Sequence, residues 1–296
     1  KAFMEKNEYR VWLQAARPKT LPASVSPVVV GCAAAYRDGV FQWTPALLCL
    51  CVALFAQIAS NFANDYYDFK KGADGEGRLG PERAVAQGWV APASMLKAAC
   101  ATLALACLSG CMLLFYAGWE IIPVGIAIAA CVWAYSAGPF PLAYNGLGDV
   151  CVVLFYGIVP VCFTYYVQAG GFTWLLFLLS LSVGLLSDNI LIVNNYRDYH
   201  QDKAHRKRTT VVLFGRRFGR IAYLANGLLA LLIVMPLLVQ AAVWMQALFA
   251  LFFALFVGTW NEMRHNEGKR LNATLGHTAR NVLVFSLCVS LFLLLY

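Results

Sequence analysis

Apolar stretches long enough to cross a lipid bilayer follow one another along this chain with little sequence between them. A spanning helix needs ~20 mainly apolar residues. Nine candidate segments are legible, at about 20–36, 45–65, 95–116, 119–136, 149–168, 173–196, 220–239, 242–259 and 280–296. Backbone polar groups in lipid must be satisfied within the segment, so such runs are helices. The expected fold class is all-α, a polytopic membrane protein of about nine transmembrane helices forming a single domain over 1–296. The composition agrees, with 60% hydrophobic residues and only 13% charged.

The charges show which side each loop faces. If the N-terminus is cytoplasmic, 22 of the 23 Lys and Arg residues fall on the cytoplasmic side and only Arg37 falls outside. This is the positive-inside pattern, and it predicts a multi-pass membrane protein with its N-terminus on the cytoplasmic side. It also accounts for the net charge of +8, so basic loops beside anionic lipid are expected and nucleic acid is not an expected partner. The ten cysteines form no CxxC pair and read as small apolar packing residues.

Against this apolar background, two polar motifs stand out. "NDYYDFKKGAD" at 64–74 ends the second apolar segment, and "NNYRDYHQD" at 194–202 ends the sixth. Residues four apart on a helix drift by only ~40°. Asn194, Asp198 and Asp202 therefore share one face, as do Asn64 and Asp68, and Asn61 and Gln57 extend the second stripe into the membrane. Asp65 lies to one side. Polar groups at such positions are costly and usually face a cavity or another helix. Both motifs precede a basic loop, with Lys70, Lys71, Arg78 and Arg83 after the first and Lys203, Arg206, Lys207 and Arg208 after the second. This parallel suggests pseudo-repeat halves of about 1–147 and 148–296.

Carboxylate and amide oxygens are hard ligands suited to Mg2+, which binds through one or two carboxylates and completes its shell with water and phosphate oxygens. Neighbouring Arg and Lys would hold the remaining phosphate charge. The combination points to a diphosphate, and its place at the end of apolar segments points to a lipid-tailed one, a polyprenyl diphosphate. No EF-hand loop and no GxxxxGK[ST] phosphate loop is present. Tyr135, Tyr144, Tyr156, Tyr165 and Tyr166 are candidates to shield an allylic cation through their ring faces, although aromatic residues also form interfacial belts.

With its NxxxD and NxxxDxxxD motifs, the chain resembles the UbiA superfamily of intramembrane aromatic prenyltransferases, and within it the branch that acts on 1,4-dihydroxy-2-naphthoate. The resemblance is carried by "ARPKTLPASVSPVVVG" at 16–31, "RLGPERAV" at 78–85, "GPFPLAYNGLGD" at 138–149, "FTYYVQ" at 163–168, "RTTVVLFG" at 208–215 and "LNATLGHTARN" at 271–281. It implies helices around a central cavity and Mg-dependent transfer of a polyprenyl group to 1,4-dihydroxy-2-naphthoate with loss of carbon dioxide, giving demethylmenaquinone. It assigns Asn64, Asp68, Asn194, Asp198 and Asp202 to the catalytic metal and diphosphate site, with Asp65 and Asp74 as further metal candidates. Arg78, Arg83, Lys207 and Arg208 are candidates for diphosphate contact. Asn61, Gln57, Tyr135, Tyr144, Asp149 and Tyr156 are candidates for the acceptor or cavity wall.

Some positions depart from the family pattern. Gly72 stands where the first motif often has a further Asp, and Arg206 stands where the branch commonly has glycine. Asp149 replaces a frequent glutamate, as a possible orienting or deprotonating group or simply a carboxylate at a helix start. Asp188, about two turns deeper than Asp198, reads as an interhelical hydrogen-bonding residue. Alternatives are a prenyltransferase for another acceptor, such as 4-hydroxybenzoate, and, in a different class, a secondary transporter.

Overall fold

The computed structural model describes residues 8–72, 78–239 and 241–296, and in these it is helical throughout. Twelve helices follow in order: α1 Glu8–Ala16, α2 Pro22–Arg37, α3 Trp43–Lys70, α4 Pro92–Ala117, α5 Ile122–Ala134, α6 Gly148–Ala169, α7 Trp174–Arg197, α8 Tyr199–Ala204, α9 Thr210–Phe214, α10 Arg216–Leu238, α11 Val243–His265 and α12 Leu271–Leu295. Seven of them, α3, α4, α6, α7, α10, α11 and the stretch leading through α12, are long and apolar enough to cross a membrane. The expected segments 20–36 and 119–136 coincide with shorter helices, α2 with 16 residues and α5 with 13. Prolines bound these two: Pro22 opens α2, and "GPFP" at 138–141 prevents α5 from continuing.

Local signals fix the helix ends. Pro22 and Pro92 occupy first helical positions, where the missing N–H costs nothing. Thr173 caps α7 by accepting the Leu176 N–H at 3.1 Å. Two helices run further than their apolar cores suggest. Helix α3 continues to Lys70, so that the first motif lies inside it, and α12 begins at Leu271, well before the apolar run at 280. In both cases the added turns are amphipathic, with a polar face turned to other helices instead of lipid.

Helix α7 is the inner element. Of its most apolar stretch 72% is buried by protein, against 22% for α4 and α10, whose outer faces are left for lipid. It packs against α6, α10, α12 and α2. The contact with α6 is made by two glycines, since a Cβ on Gly157 would lie 2.3 Å from the Gly184 Cα. The same stretch of α6 widens into a π-helical turn at Leu154–Ile158. Such turns are rare and occur often at functional sites.

Candidate active site

The last turns of α3 and α7, together with the loops that follow them, open onto one cavity of about 870 Å³. Asn64, Asp65 and Asp68 line it from the first motif, and Asn194, Asp198 and Asp202 from the second. The cavity then runs between α2, α3, α4, α5 and α6 along mostly apolar residues, among them Val52, Leu103, Ile128 and Val159. A polar mouth and an apolar shaft thus form one space.

Asn64, Asp65, Asp68, Asn194 and Asp198 are each held by a specific partner. The Arg83 Nη2 donates to Asp68 Oδ2 at 3.1 Å and to Asn64 Oδ1 at 3.2 Å, bringing the loop after α3 back over the helix. Asp65 secures that loop from the other side by accepting the backbone N–H groups of Ala84 and Val85. Its two oxygens are thereby committed to the chain. Arg197, which sequence reasoning left without a role, grips Asp198 in bidentate fashion at 2.6 and 2.8 Å and also donates to Asn194 Oδ1 and Asn272 Oδ1. The Asn272 amide in turn donates to the Leu79 carbonyl, so α12 joins the two motifs. Arg197 stands three residues after Asn194, on the same helical face, and that spacing was its available signal.

Helix α7 breaks at Asp198, but the i to i+4 bonding continues across the break, from the Asp198 N–H to the Asn194 carbonyl and from the Asp202 N–H to the Asp198 carbonyl. The three polar residues of the second motif therefore stay on one side. The polar stripe of α3 also points inward, although its deeper amides serve the backbone. The Asn61 amide donates to the Ala16 carbonyl, and the Gln57 amide donates to the Thr20 carbonyl while its oxygen accepts from Ser24. They hold the turn that places Arg17 and Lys19 on the cavity wall. Arg17 takes a left-handed backbone conformation, φ 55°, which no motif announces.

The remaining candidates divide. Tyr135, Tyr144, Tyr156, Asp149, Arg78 and Lys207 line the cavity. Arg208 does not, and only its backbone N–H contributes, by donating to the Tyr144 carbonyl. Tyr165 and Tyr166 are likewise absent from the wall. The Tyr165 hydroxyl donates to Asp38 at 2.6 Å beyond the far end of α2, and Tyr166 stacks on Phe172. Asp74 lies outside the described residues. Asp188 makes the interhelical bond expected of it, accepting from Asn226 of α10 at 3.0 Å.

The electrostatics of the mouth are those of a site built for mixed charge. Burial pushes the Asp202 carboxyl up to about 6, with Asp198 and Asp68 adding to the rise and Lys207 opposing it. Burial disfavours the charge on Lys207, yet Asp202, Asp68 and Asp198 outweigh it and hold its pKa above the usual lysine range. Lys71 moves the other way, lowered first by burial and then by Lys207. All of these groups sense one another across the site, so the two motifs are electrostatically one unit.

The donor set suits Mg2+. Asp202 Oδ2 is buried without a hydrogen-bond partner among the described residues. Nowhere among those residues do three His, Cys, Asp or Glu side chains close on a single point. A hard cation that takes one or two carboxylates and fills its shell from water and substrate phosphate fits this open arrangement.

Comparison with known proteins gives a consistent picture. The model of the UbiA prenyltransferase family matches residues 24–292. The 1,4-dihydroxy-2-naphthoate octaprenyltransferase of Mycobacterium tuberculosis is 38% identical over 231 residues, covering 78% of each chain. The enzyme of the same name from Escherichia coli is 38% identical over 214 residues, 70% of this chain and 69% of its own. Among solved structures, a UbiA homologue from Archaeoglobus fulgidus bound to DMAPP and Mg2+ superposes with a TM-score of 0.66 over 94% of this chain and 98% of that one, at 14% identity. At that identity the superposition shows a shared fold alone.

Proposed function

This chain belongs to the UbiA prenyltransferase family, and we propose that it transfers a polyprenyl group from an allylic polyprenyl diphosphate to 1,4-dihydroxy-2-naphthoate, with loss of carbon dioxide, giving the reduced form of demethylmenaquinone. The observation that carries this reading is the joining of a polar mouth, supplied by both motifs, to an apolar shaft in one cavity. Relatives named for that reaction at 38% identity support the choice of acceptor.

Asp68, Asp198 and Asp202, with the amide oxygens of Asn64 and Asn194, would hold Mg2+ and through it the diphosphate. When bound, Mg2+ neutralises charge on the departing diphosphate and so makes it a better leaving group. Arg78, Arg83 and Lys207 supply positive charge for the phosphate oxygens not held by the metal. Arg197 keeps Asp198 and Asn194 aimed at the mouth. The shaft receives the prenyl chain and excludes water that would otherwise capture the allylic cation. Tyr135 and Tyr156, on the cavity wall, supply aromatic rings to shield that cation. We read the mouth as facing the cytoplasm from a bacterial inner membrane, a reading that the basic loops after both motifs support. We read α2 and α5 as two further spans, for nine in all, and the two motif-bearing helices as equivalent members of two repeated halves.

Purified full-length protein in detergent, given Mg2+, an allylic polyprenyl diphosphate and a panel of hydroxyaryl acids, tests the proposal. Prenylated, decarboxylated product from dihydroxynaphthoate is expected. Turnover confined to 4-hydroxybenzoate would reject the acceptor, and no turnover with any member of the panel would reject the reaction.

A further inference from the structure

Below the mouth, two carboxylates meet where α6 crosses α7. The crossing is fixed by Gly157 against Gly184 and by Gly148, whose Cβ position lies 3.2 Å from Leu191. Asp188 falls between Gly184 and Leu191 and so faces the start of α6, within hydrogen-bonding reach of Asp149. Asp188 is only 5% exposed. Neither acid forms an ion pair among the described residues.

The donors available to this pair are few. The Thr210 hydroxyl donates to Asp149, at 3.1 and 3.0 Å from its two oxygens, and Asn226 donates to Asp188 Oδ2. Asp188 Oδ1 is buried and receives no donor among the described residues. Two ionised carboxylates cannot sit in contact inside a low-dielectric interior without a cation, whereas one proton between them removes the repulsion and gives each a partner. Asp149 lines the cavity beside Tyr135, Tyr156 and Ser187, so one member of the pair is open to a bound molecule and the other is closed off behind it.

We propose that Asp149 and Asp188 form a proton-sharing pair that takes up and returns the hydroxyl proton of the aromatic acceptor, with Asp149 touching the substrate and Asp188 positioning and charging it. This rests on the reading of the chain as a hydroxyaryl prenyltransferase. The acceptor O–H bond breaks and its proton passes to the pair. The oxygen's electron pair drives a bond from the ring carbon that bears the carboxylate to the allylic carbon. The allylic C–O bond breaks, and its electrons leave with diphosphate. Carbon dioxide then departs from that ring carbon, the electrons of its bond restore the aromatic ring, and the oxygen recovers its proton from the pair. The proton is lent and returned, so no external base is consumed.

The test compares wild type, Asp149→Asn, Asp149→Glu and Asp188→Asn as full-length protein in detergent with Mg2+, an allylic polyprenyl diphosphate and a series of dihydroxynaphthoates of graded hydroxyl acidity. Thermal midpoints are measured first to verify folding. Loss of a general base costs about 100-fold or more in kcat, and that loss is expected in Asp149→Asn with KM for the diphosphate changed by less than about twofold. Asp188→Asn should fall in the same direction, and Asp149→Glu should recover part of the rate. The deficit should shrink as the acceptor hydroxyl becomes more acidic, a trend that a purely structural role would not produce. A deficit constant across the series, or kcat of Asp149→Asn within about threefold of wild type, overturns the proposal. If Asp188→Asn does not fold, the acidity series with Asp149→Asn decides alone. Wild-type protein that prenylates no hydroxyaryl acid would instead defeat the reading of the reaction itself.

Discussion

The hydroxyl of Tyr144 donates a hydrogen bond of 2.9 Å to Asp68 Oδ1. The same ring lies under the Lys71 ammonium, 4.1 Å from its centroid, with Lys207 at 5.6 Å. One side chain from the loop between α5 and α6 therefore meets the first motif and basic residues from both motif loops. In Tyr144→Phe the ring and its cation contacts remain while the bond to the carboxylate is lost. Bonds to charged groups contribute ~1.5–3 kcal/mol, so kcat/KM for the diphosphate should fall roughly 10-fold or more, with the thermal midpoint nearly unchanged. Steady-state kinetics at saturating acceptor measures this, and wild-type kinetics would remove Tyr144 from the site.

Lysine should be a poor replacement for Arg197. Its planar head bonds Asp198 twice and reaches Asn194 and Asn272 as well, a fork that an ammonium cannot reproduce. Arg197→Lys is expected to lower kcat/KM by about 100-fold, equivalent to ~2.7 kcal/mol. Gly80→Ala should act through the same group, because a Cβ there would stand 2.7 Å from the Arg197 Nη2. A Gly80→Ala enzyme with full activity and unchanged stability would show that this contact relaxes without consequence.

Much of this site was legible in the sequence because its chemistry is written locally. Asn64 and Asp68, like Asn194, Asp198 and Asp202, are one helical turn apart, and a spacing of four is readable without knowing what faces it. The elements that proved hard to read depend on which distant segments meet. Arg197 finds Asn272 from 75 residues away, and Asp149 finds Thr210 across 61. Tyr165 and Tyr166 illustrate the converse, since aromatic residues near apolar segments do not disclose which end of the bundle they occupy. The helix count fell between these cases: α5 with the turn before it is apolar but shorter than a span, and α2 is equally short and carries Pro27 within it.

Arg206 keeps a left-handed backbone conformation, φ 56°, in an exposed turn between α8 and α9. A non-glycine residue there costs roughly 1–2 kcal/mol, and glycine would avoid that cost while adding ~0.5–1 kcal/mol of unfolded-chain entropy. Arg206→Gly should therefore raise stability by about 0.5–1 kcal/mol. Denaturation in detergent measures the change, and kcat should stay at the wild-type level because the Arg206 side chain does not line the cavity.

Asp202 gives the site a pH dependence whose sign follows from its environment. Its carboxyl is raised from 3.8 to about 6, chiefly by burial. The folded state thus holds a proton that the unfolded chain has already lost, and this group's contribution to stability is present below pH ~4 and lost as pH rises through about 6. Cation binding reverses the preference, since the ligand form is the ionised one. Mg2+ should therefore raise the thermal midpoint clearly at pH 7.5 and much less at pH 5, and the difference should vanish in Asp202→Asn. Equal Mg2+ stabilisation at both pH values would argue against Asp202 as a ligand.

The crossing of α6 and α7 sets the shape of the chamber, and its glycines leave no room for substitution. A Cβ on Gly157 would lie 2.3 Å from the Gly184 Cα and 2.7 Å from the Ser180 carbonyl oxygen, while one on Gly184 would lie 2.7 Å from the Val153 carbonyl oxygen. These are backbone atoms, which cannot turn aside as a side chain can, so the helices themselves must separate. Overpacking of this kind costs ~1–3 kcal/mol. The separation would also carry Asp149 and Tyr156 of α6 away from the wall they share with α7. Gly157→Ala and Gly184→Ala are therefore each expected to lower stability by about 2 kcal/mol and to raise KM for the aromatic acceptor more than KM for the diphosphate, whose ligands lie beyond the crossing. Unfolding and kinetic measurements on both variants check the two effects, and an equal rise in both Michaelis constants would place the damage in the fold as a whole.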